Sequence, residues 1–205
     1  MRTLIIGDVH GCLRELDLLL EKAGYRYGSD QLIFVGDLIN KGPNSLGVLQ
    51  RAYDLKAQVV LGNHEHSLLY KIEQGELPPY PRQLIDWMKT WPTYIETDDF
   101  LVVHGGIIPG VHPGDSEIRT LTRIRTWDES TQSHGSKDDP PWFDFYEGKK
   151  LVVFGHWAAQ GLVWRENAIG LDTGCAYGRK LSCLVLPGKE LVQVDALKAY
   201  AKIII

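Results

Sequence analysis

An aspartate and a histidine lie two residues apart near the start of the chain, at Asp8 and His10. They follow an apolar run, residues 3–6, that predicts a short buried strand ending at Gly7. Because side chains i and i+2 of extended backbone point to the same side, this carboxylate and imidazole can bind one metal ion. Taken alone, the pair is explained more simply by a capping aspartate and a surface histidine.

Four further segments repeat this pattern of an apolar stretch, a glycine and a polar side chain. They are Gly36-Asp37, Gly62-Asn63-His64-Glu65, His104-Gly105-Gly106 and Gly155-His156. Residues 3–35 contain a predicted strand, helix and strand, which indicates a βαβ unit with parallel strands. Open α/β sheets place their sites at the carboxyl ends of such strands. We therefore expect Asp8, His10 and Asp37 to meet at one sheet edge.

The repeated pattern supplies more candidate metal ligands than one ion needs. The candidates are Asp8, His10, Asp37, Asn63, His104 and His156. Carboxylates, imidazoles and an amide oxygen form a mixed nitrogen and oxygen set, which suits Mn, Fe, Zn or Co better than Ca or Mg. If one carboxylate is shared, two ions can lie about 3.5–4 Å apart, as in two-metal hydrolases. Asp37 is the candidate bridging ligand.

Other polar residues near these segments are candidates for contacts with a substrate. Adjacent residues diverge, so His64 can face a reacting group while Asn63 binds metal. A predicted helix over residues 116–127 carries several arginines, Arg123 and Arg125 among them. Such a charge run is usually a solvated face. Beside a two-metal hydrolytic site, however, we expect at least one arginine to clamp an anion.

The rest of the chain predicts the elements that position these residues. Periodic apolar side chains predict helices over residues 12–23, 46–53, 67–74 and 83–91. Residues 93–95 and 100–103 predict a hairpin that belongs to a second sheet. A closing antiparallel meander is predicted over residues 168–171, 181–186 and 191–194.

Composition sets bounds on the fold and on its partners. With 205 residues and 44% apolar content, we expect one globular domain over residues 1–205. A net charge of −4 and a pI near 6.0 argue against general nucleic-acid binding and against a membrane-surface protein. No apolar run reaches the roughly 18 residues of a spanning helix, and the chain begins directly with a strand. We therefore expect neither membrane insertion nor secretion.

The cysteines are three in number, Cys12, Cys175 and Cys183, and show no CxxC spacing. This pattern predicts reduced thiols in a cytoplasmic protein. Each thiol is expected to be a small buried hydrophobe rather than a nucleophile.

The five motifs occur in the order found in the phosphoprotein-phosphatase class of calcineurin-like metallophosphoesterases, and the chain resembles that family. Further segments resemble the symmetrical bis(5′-nucleosyl)-tetraphosphatases, or diadenosine tetraphosphatases, and their shorter relatives. They are Gly36-Asp37-Leu38 with Gly42-Pro43, Leu121-Thr122-Arg123-Ile124-Arg125, Phe154-Gly155-His156-Trp157-Ala158 and Leu171-Asp172-Thr173-Gly174-Cys175. The resemblance covers nearly the whole chain. It implies an α/β (α+β) fold, a four-layer α/β/β/α sandwich with two mixed sheets and a dimetal site at the strand ends.

The resemblance also implies a role for each candidate residue. The first metal would be held by Asp8 and His10, the second by Asn63, His104 and His156, and both by the bridging Asp37. His64 would be the general acid, and the phosphate-binding residues would be Lys41, Arg123 and Arg125. The implied reaction is hydrolysis of phosphoanhydride bonds in dinucleoside polyphosphates such as diadenosine tetraphosphate, by in-line attack of a hydroxide that bridges two divalent metal ions. Manganese is the first candidate, with Co, Fe and Zn as alternatives.

The chain departs from the protein-phosphatase branch just after Asp37. That branch carries an Asp and then an Arg where this chain has Asn40 and Lys41. An amide does not hold a charged imidazole as a carboxylate does, so acid catalysis by His64 is expected to be weaker. Lys41 would contact phosphate as a point charge rather than as a bidentate fork. The chain also has less covering structure after His104 than the bacterial tetraphosphatases, which leaves strict selectivity for dinucleotides open.

Two other classes of function stay open at this point. One is a phosphatase acting on phosphoserine, phosphothreonine or phosphotyrosine proteins, or more broadly on polyphosphates and phosphomonoesters. The other is a non-enzymatic phosphate-binding module with a relic site, which the complete ligand set disfavours. Trp157 or Tyr177 could stack on a nucleotide base, although packing explains each at least as well. The sequence leaves the oligomeric state open.

Overall fold

The computed structural model describes residues 1–202, which contain two five-stranded sheets. The strands of the first sheet are β1 Thr3–Ile6, β2 Gln31–Phe34, β3 Gln58–Val59, β9 Lys180–Leu186 and β10 Glu190–Asp195. The strands of the second are β4 Tyr94–Glu96, β5 Phe100–Val103, β6 Leu151–Phe154, β7 Val163–Trp164 and β8 Ala168–Gly170. Their spatial orders are β10-β9-β1-β2-β3 and β4-β5-β6-β8-β7.

The helices connect these strands and cover the sheets. They are α1 Leu13–Lys22, α2 Ser45–Asp54, α3 Asn63–Glu73, α4 Arg82–Met88 and α5 Ile118–Arg123. None of those within residues 1–202 has the length and the apolar character that crossing a membrane requires. The thiols of Cys12, Cys175 and Cys183 are buried and free, as predicted.

Both sheets contain parallel and antiparallel pairs. In the first, β1 runs parallel to β2, with Ile5 opposite Ile33, and antiparallel to β9, with Ile5 opposite Leu184. In the second, β5, β6 and β8 are parallel, and β4 and β7 pair antiparallel at the two edges. The predicted hairpin is formed by β4 and β5. Two mixed sheets with helices confirm the expected fold class.

The central strand β1 is buried on both faces, which shows how the layers stack. Ile5 lies in a core between the two sheets, together with Val153 of β6. Leu4 and Ile6 point the opposite way, into a core shared with α1 and α2, because alternate residues of a strand face opposite sides. A third core around Trp142 fills the outer face of the second sheet beneath α5. The layers are therefore helix, sheet, sheet and helix.

The predicted closing meander is wrong in its first strand and confirmed in the antiparallel pairing of the other two. Strand β8 pairs in parallel with β6 in the second sheet, whereas β9 and β10 pair with each other in the first. An apolar pattern identifies a buried strand but does not identify its neighbours. The chain crosses between the sheets at Leu171, and Gly7 permits this because a Cβ at Gly7 would meet the Leu171 carbonyl.

Two predicted helices also have different limits in the structure. The helix expected over residues 67–74 begins earlier, at Asn63. The arginine-bearing helix expected over residues 116–127 is α5, and it ends at Arg123 because Ile124 has extended backbone, with φ −61° and ψ 136°. Arg125 therefore lies beyond the helix on which it was predicted.

Candidate active site

The five glycine motifs lie together where strands of both sheets end. Asp8 follows β1, Asp37 follows β2, and Asn63 begins α3 shortly after β3. From the second sheet, His104 follows β5 and His156 follows β6. Strand β2 is parallel to both β1 and β3, and β5 is parallel to β6. Their carboxyl ends therefore bring these side chains to one edge of the sandwich.

The carboxylate of Asp37 is the centre of this cluster. Its Oδ2 lies 3.6 Å from Nε2 of His10 and 3.4 Å from Nε2 of His104. Nε2 of His64 lies 3.9 Å from the same oxygen. Asp37, His10 and His104 are all nearly inaccessible to solvent. A single buried oxygen therefore faces ligand atoms from two strand ends.

The remaining candidate ligands lie on either side of Asp37. Asn63 Oδ1 is 2.9 Å from Nε2 of His104 and 2.8 Å from Nδ1 of His156. On the other side, Asp8 Oδ2 is 3.9 Å from Nε2 of His10 and accepts a 3.1 Å hydrogen bond from the backbone N–H of His156. All six predicted metal ligands are thus brought together.

Backbone carbonyls orient two of the imidazoles. Nδ1 of His10 lies 2.8 Å from the Ile39 carbonyl, and Nδ1 of His104 lies 2.7 Å from the Val35 carbonyl. A carbonyl only accepts hydrogen bonds, so each Nδ1 donates and each Nε2 is directed at Asp37. This arrangement is the usual way in which proteins fix the tautomer of a metal-binding histidine.

The ammonium group of Lys41 lies beside a nitrogen of His10 that is a candidate metal ligand. Lys41 Nζ lies 2.6 Å from Nε2 of His10. Since an ammonium only donates, this nitrogen accepts, which agrees with the proton being on Nδ1. A metal ion and Lys41 therefore compete for the same lone pair. The mixed donor set, together with this cation at a ligand atom, fits divalent transition metals.

The backbone of the site is unusual at several of these residues. Positive φ angles occur at His10 (47°), Asp37 (52°), Asn40 (69°), Lys41 (63°) and His156 (69°). Non-glycine residues rarely adopt this left-handed region, and such residues cluster at functional sites. Each of these turns redirects a polar side chain from a strand end toward the cluster.

Close approach between strand ends requires glycine at two positions. A Cβ on Gly155 would meet Oδ1 of Asp8, and a Cβ on Gly62 would meet the backbone nitrogen and Oδ1 of Asp37. Larger residues at either position would push a carboxylate out of the cluster. The glycines of the sequence motifs therefore serve the packing of the site.

The carboxylate of Glu65 stabilises the backbone turn at Asp37. This carboxylate is fully buried and accepts hydrogen bonds from the backbone N–H groups of Asp37 (3.0 Å), Leu38 (2.8 Å) and Ile39 (3.2 Å). These three donors have left the strand ladder, and Glu65 satisfies them from the first turn of α3. Glu65 thus positions the candidate bridging ligand through the backbone of residue 37 rather than through the Asp37 carboxylate.

Glu65→Ala is expected to destabilise the fold by about 3 kcal/mol, because three buried N–H groups would lose their acceptor. Urea unfolding monitored by circular dichroism measures the change. Glu73→Ala, at an exposed position of the same helix, is the control and should unfold like the wild type. A Glu65→Ala midpoint equal to that of Glu73→Ala would contradict the bracing role.

Asp37 and His104 form a buried ion pair. Burial alone would raise the pKa of Asp37, but the charge and hydrogen bond of His104 hold that pKa well below its usual value. Burial likewise opposes a charge on His104, but Asp37 raises the pKa of His104 to about 10. His10 is the opposite case, because burial lowers its pKa to about 3. His104 thus carries a proton that a metal ion has to displace.

Metal binding at neutral pH is expected to release at least one proton per chain, and metal affinity is expected to rise with pH. The pKa of His104 is raised, so the free site holds this proton below about pH 10, and raising the pH removes the competitor. Calorimetric titration with Mn²⁺ in two buffers of different ionisation enthalpy counts the protons. Equal heats in both buffers would contradict the expectation.

His64 stands beside the cluster rather than inside it. Asn40 Nδ2 lies 2.8 Å from Nδ1 of His64. Because the amide NH₂ only donates, Nδ1 accepts, and the His64 proton is on Nε2, on the side of Asp37. Burial lowers the pKa of His64, and the charge of Asp37 only partly opposes this. A neutral His64 held by an amide agrees with the weaker acid expected from Asn40.

The three predicted phosphate-binding residues separate into two groups. Lys41 and Arg125 line a cavity of about 120 Å³ beside Asp37, together with Trp157 and Tyr177. Arg123 is absent from this cavity and lies in an adjacent one of about 350 Å³. The extended backbone at Ile124 accounts for the separation of the two arginines.

Some residues of the site were not assigned from the sequence. Asp172 lines the smaller cavity, and burial, opposed by Lys41, raises its pKa to about 6. In the sequence, Asp172 belongs to a segment that carries the family resemblance, and no role was predicted for it. Ser67, Lys71 and Tyr80 line the larger cavity, and no motif pointed to them. Tyr80 lies between two prolines in the least regular part of the sequence, where periodicity gives no signal.

Comparisons with known proteins agree with this geometry. A sequence model of the family described as "Calcineurin-like phosphoesterase" matches residues 1–186. A Janthinobacterium protein named "Bis(5'-nucleosyl)-tetraphosphatase, symmetrical" is 31% identical, over 95% of this chain and 96% of its own length. A protein of the same name from Ralstonia nicotianae is 32% identical, over 95% and 94%. These alignments run over 264 and 269 positions, so the relatives contain internal segments that this 205-residue chain lacks.

Solved structures give the same result. A crystal structure described as a "putative diadenosine tetraphosphatase" matches with a TM-score of 0.90 and 34% identity, over 95% of this chain and 93% of that one. A cold-active protein tyrosine phosphatase of a Shewanella species matches with a TM-score of 0.61 and 19% identity, over 98% of this chain and 78% of its own. The second likeness shows a shared fold alone.

Proposed function

The chain belongs to the calcineurin-like phosphoesterase family, a family of metal-dependent phosphohydrolases, and on this premise we propose that it hydrolyses phosphoanhydride bonds in dinucleoside polyphosphates such as diadenosine tetraphosphate. The observation that carries the proposal is the convergence of the six candidate ligand side chains, Asp37 among them, into one cluster. The names of relatives at about 30% identity over nearly the full chain support the choice of substrate.

The residues present fit two divalent cations. Asp8 and His10 would hold one, and the other would lie against Asn63, His104 and His156 on the far side of Asp37. When bound, such cations lower the pKa of a water molecule and neutralise phosphate charge. We propose manganese as the native metal, because the mixed nitrogen and oxygen donors suit a borderline divalent ion.

Charge explains how an acidic protein attracts an anionic substrate. The whole chain has a formal net charge of −4. At the site, however, two divalent cations would outweigh the negative charges of Asp8, Asp37 and Asp172. The neutral histidines and Asn63 would add nothing. The local potential is therefore positive, and Lys41 and Arg125 increase it.

The side chains around the cluster have separate roles in phosphate binding, proton donation and base stacking. Lys41 and Arg125 bind the phosphate oxygens in the smaller cavity and offset the charge that develops there. His64 presents Nε2–H on the side of Asp37, where it can give a proton to the departing oxygen. Trp157 and Tyr177 supply aromatic surface in the same cavity for a nucleotide base.

Turnover of matched substrates tests the proposal. The purified protein, loaded with Mn²⁺, is given diadenosine tetraphosphate, inorganic polyphosphate and a phosphopeptide at equal concentration. We expect the highest kcat/KM for diadenosine tetraphosphate, with ADP as the nucleotide product. A preference for the phosphopeptide would make the chain a protein phosphatase, and absence of turnover on all three would make it a binding module.

We also propose a cytoplasmic location. The three free and buried thiols support it, since unpaired cysteines are typical of a reducing compartment. Fractionation of cells that produce the protein at native level, followed by detection with an antibody, tests this location.

A further inference from the structure

Two cavities open from the metal-ligand cluster, and they meet at Asn63 and His64, which line both. We call the smaller one, with Lys41, Arg125, Trp157 and Tyr177, the inner arm. The larger one, with Ser67, Lys71, Tyr80 and Arg123, is the outer arm. A ligand centred on Asp37 and His64 can therefore extend in two directions.

The outer arm has the chemistry of an anion site. Its cations are Arg123 and Lys71, and no carboxylate is among its lining residues. The Arg123 guanidinium donates a 3.0 Å hydrogen bond from Nη2 to Ser67 Oγ. This contact orients the guanidinium group and leaves its other N–H groups for a ligand. Both basic side chains are exposed to solvent and reachable by a phosphate chain.

The outer arm also has a flat apolar surface. The ring of Tyr80 is partly buried against the core to which α2 and α4 contribute residues, and Leu68 lies in the same arm. An aromatic ring held in this way offers a face on which a nucleotide base can stack, whatever the base. A volume of about 350 Å³ is within the range of small-molecule sites.

Each arm contains two cations and at least one aromatic ring, and His64 lines both arms. The inner arm differs in that it also contains the carboxylates of Asp37 and Asp172. A polyphosphate with a nucleoside at each end supplies phosphate charge and an aromatic base to each arm. Inorganic polyphosphate would leave the aromatic surfaces of both arms without a partner, and a phosphopeptide would not supply a nucleoside to each arm. We infer that the outer arm is a second nucleotide subsite, in which Tyr80 stacks on a base and Arg123 and Lys71 bind phosphate; this inference rests on the proposed function.

Tyr80→Ala tests the subsite. We expect the ratio of kcat/KM for diadenosine tetraphosphate to kcat/KM for p-nitrophenyl phosphate to fall about tenfold, through KM, because stacking is lost for the larger substrate only. Tyr80→Phe keeps the ring and should keep the wild-type ratio. Using a ratio removes any loss of active protein caused by the contact of Tyr80 with the core.

Tyr70→Ala is the matched control. Tyr70 is an exposed tyrosine of α3 outside both arms, and its removal should leave the ratio unchanged. If the wild type cleaves diadenosine tetraphosphate and Tyr80→Ala has the wild-type ratio, the subsite is wrong and the proposed function stands. If the wild type turns over p-nitrophenyl phosphate but not diadenosine tetraphosphate, both the function and the subsite are overturned.

Discussion

Asp37→Asn is expected to lose both metal ions and to lower turnover about a thousandfold or more. Asp37 Oδ2 lies 3.6 Å from Nε2 of His10 and 3.4 Å from Nε2 of His104. It therefore lies between the candidate ligands of the first metal ion and those of the second. Asparagine has nearly the same shape but no charge, and its NH₂ group cannot bind a cation. The fold should persist, because an oxygen remains to accept the hydrogen bond from His64 N.

Metal content by plasma mass spectrometry and kcat on diadenosine tetraphosphate measure this effect together. Asp98→Asn is the control, since Asp98 is exposed on the loop between β4 and β5, and it should behave as the wild type. Loss of one ion only would place Asp37 on a single metal. Retention of both ions with full turnover would remove Asp37 from the centre of the site.

The ligand positions could be predicted because each is tied to a strand end by a short segment. Asp8 and His10 follow β1 within four residues, and Asp37 follows the parallel neighbour β2 within three. Spacing along the chain then becomes spacing at the sheet edge, since parallel strands end together. Glycine marks each turn because the strand ends approach too closely for a Cβ, as at Gly155.

The positions of the two arginines could not be predicted in the same way. Leu121 and Ile124 have helical spacing, which predicts that the helix continues to Arg125. Instead Ile124 is extended and buried in the core around Trp142, so tertiary packing overrides the local pattern. As a result Arg123 lies in the outer arm and Arg125 in the inner arm.

Contacts between segments that are far apart in the chain could not be predicted from the sequence either. Tyr80 lies about forty residues from Asn40, yet both line the outer arm with His64. The pairing of β8 with β6 rather than with β9 likewise joins segments that are not neighbours in sequence. Apolar periodicity reports which face of an element is buried, but it carries no information about the element packed against it.

His64→Asn is expected to keep both metal ions and to lower kcat about 10²- to 10⁴-fold, the usual contribution of a general acid. His64 lies next to Asp37, but its Nδ1 is engaged by Asn40 and its Nε2 carries the proton. The loss should be larger for phenyl phosphate than for p-nitrophenyl phosphate, because phenolate is the more basic leaving group and depends more on protonation. Metal content and kcat on both esters measure the effect.

His66→Asn on the same helix is the matched control, since His66 lines neither arm and should keep wild-type kcat on both esters. An equal loss on the two esters would assign His64 to binding rather than to proton transfer. Loss of metal would give a third result, because His64, His10 and Asp37 lie close enough together to share one ion. In that case His64 would be a ligand, and the weak acid held by Asn40 would have no role in the chemical step.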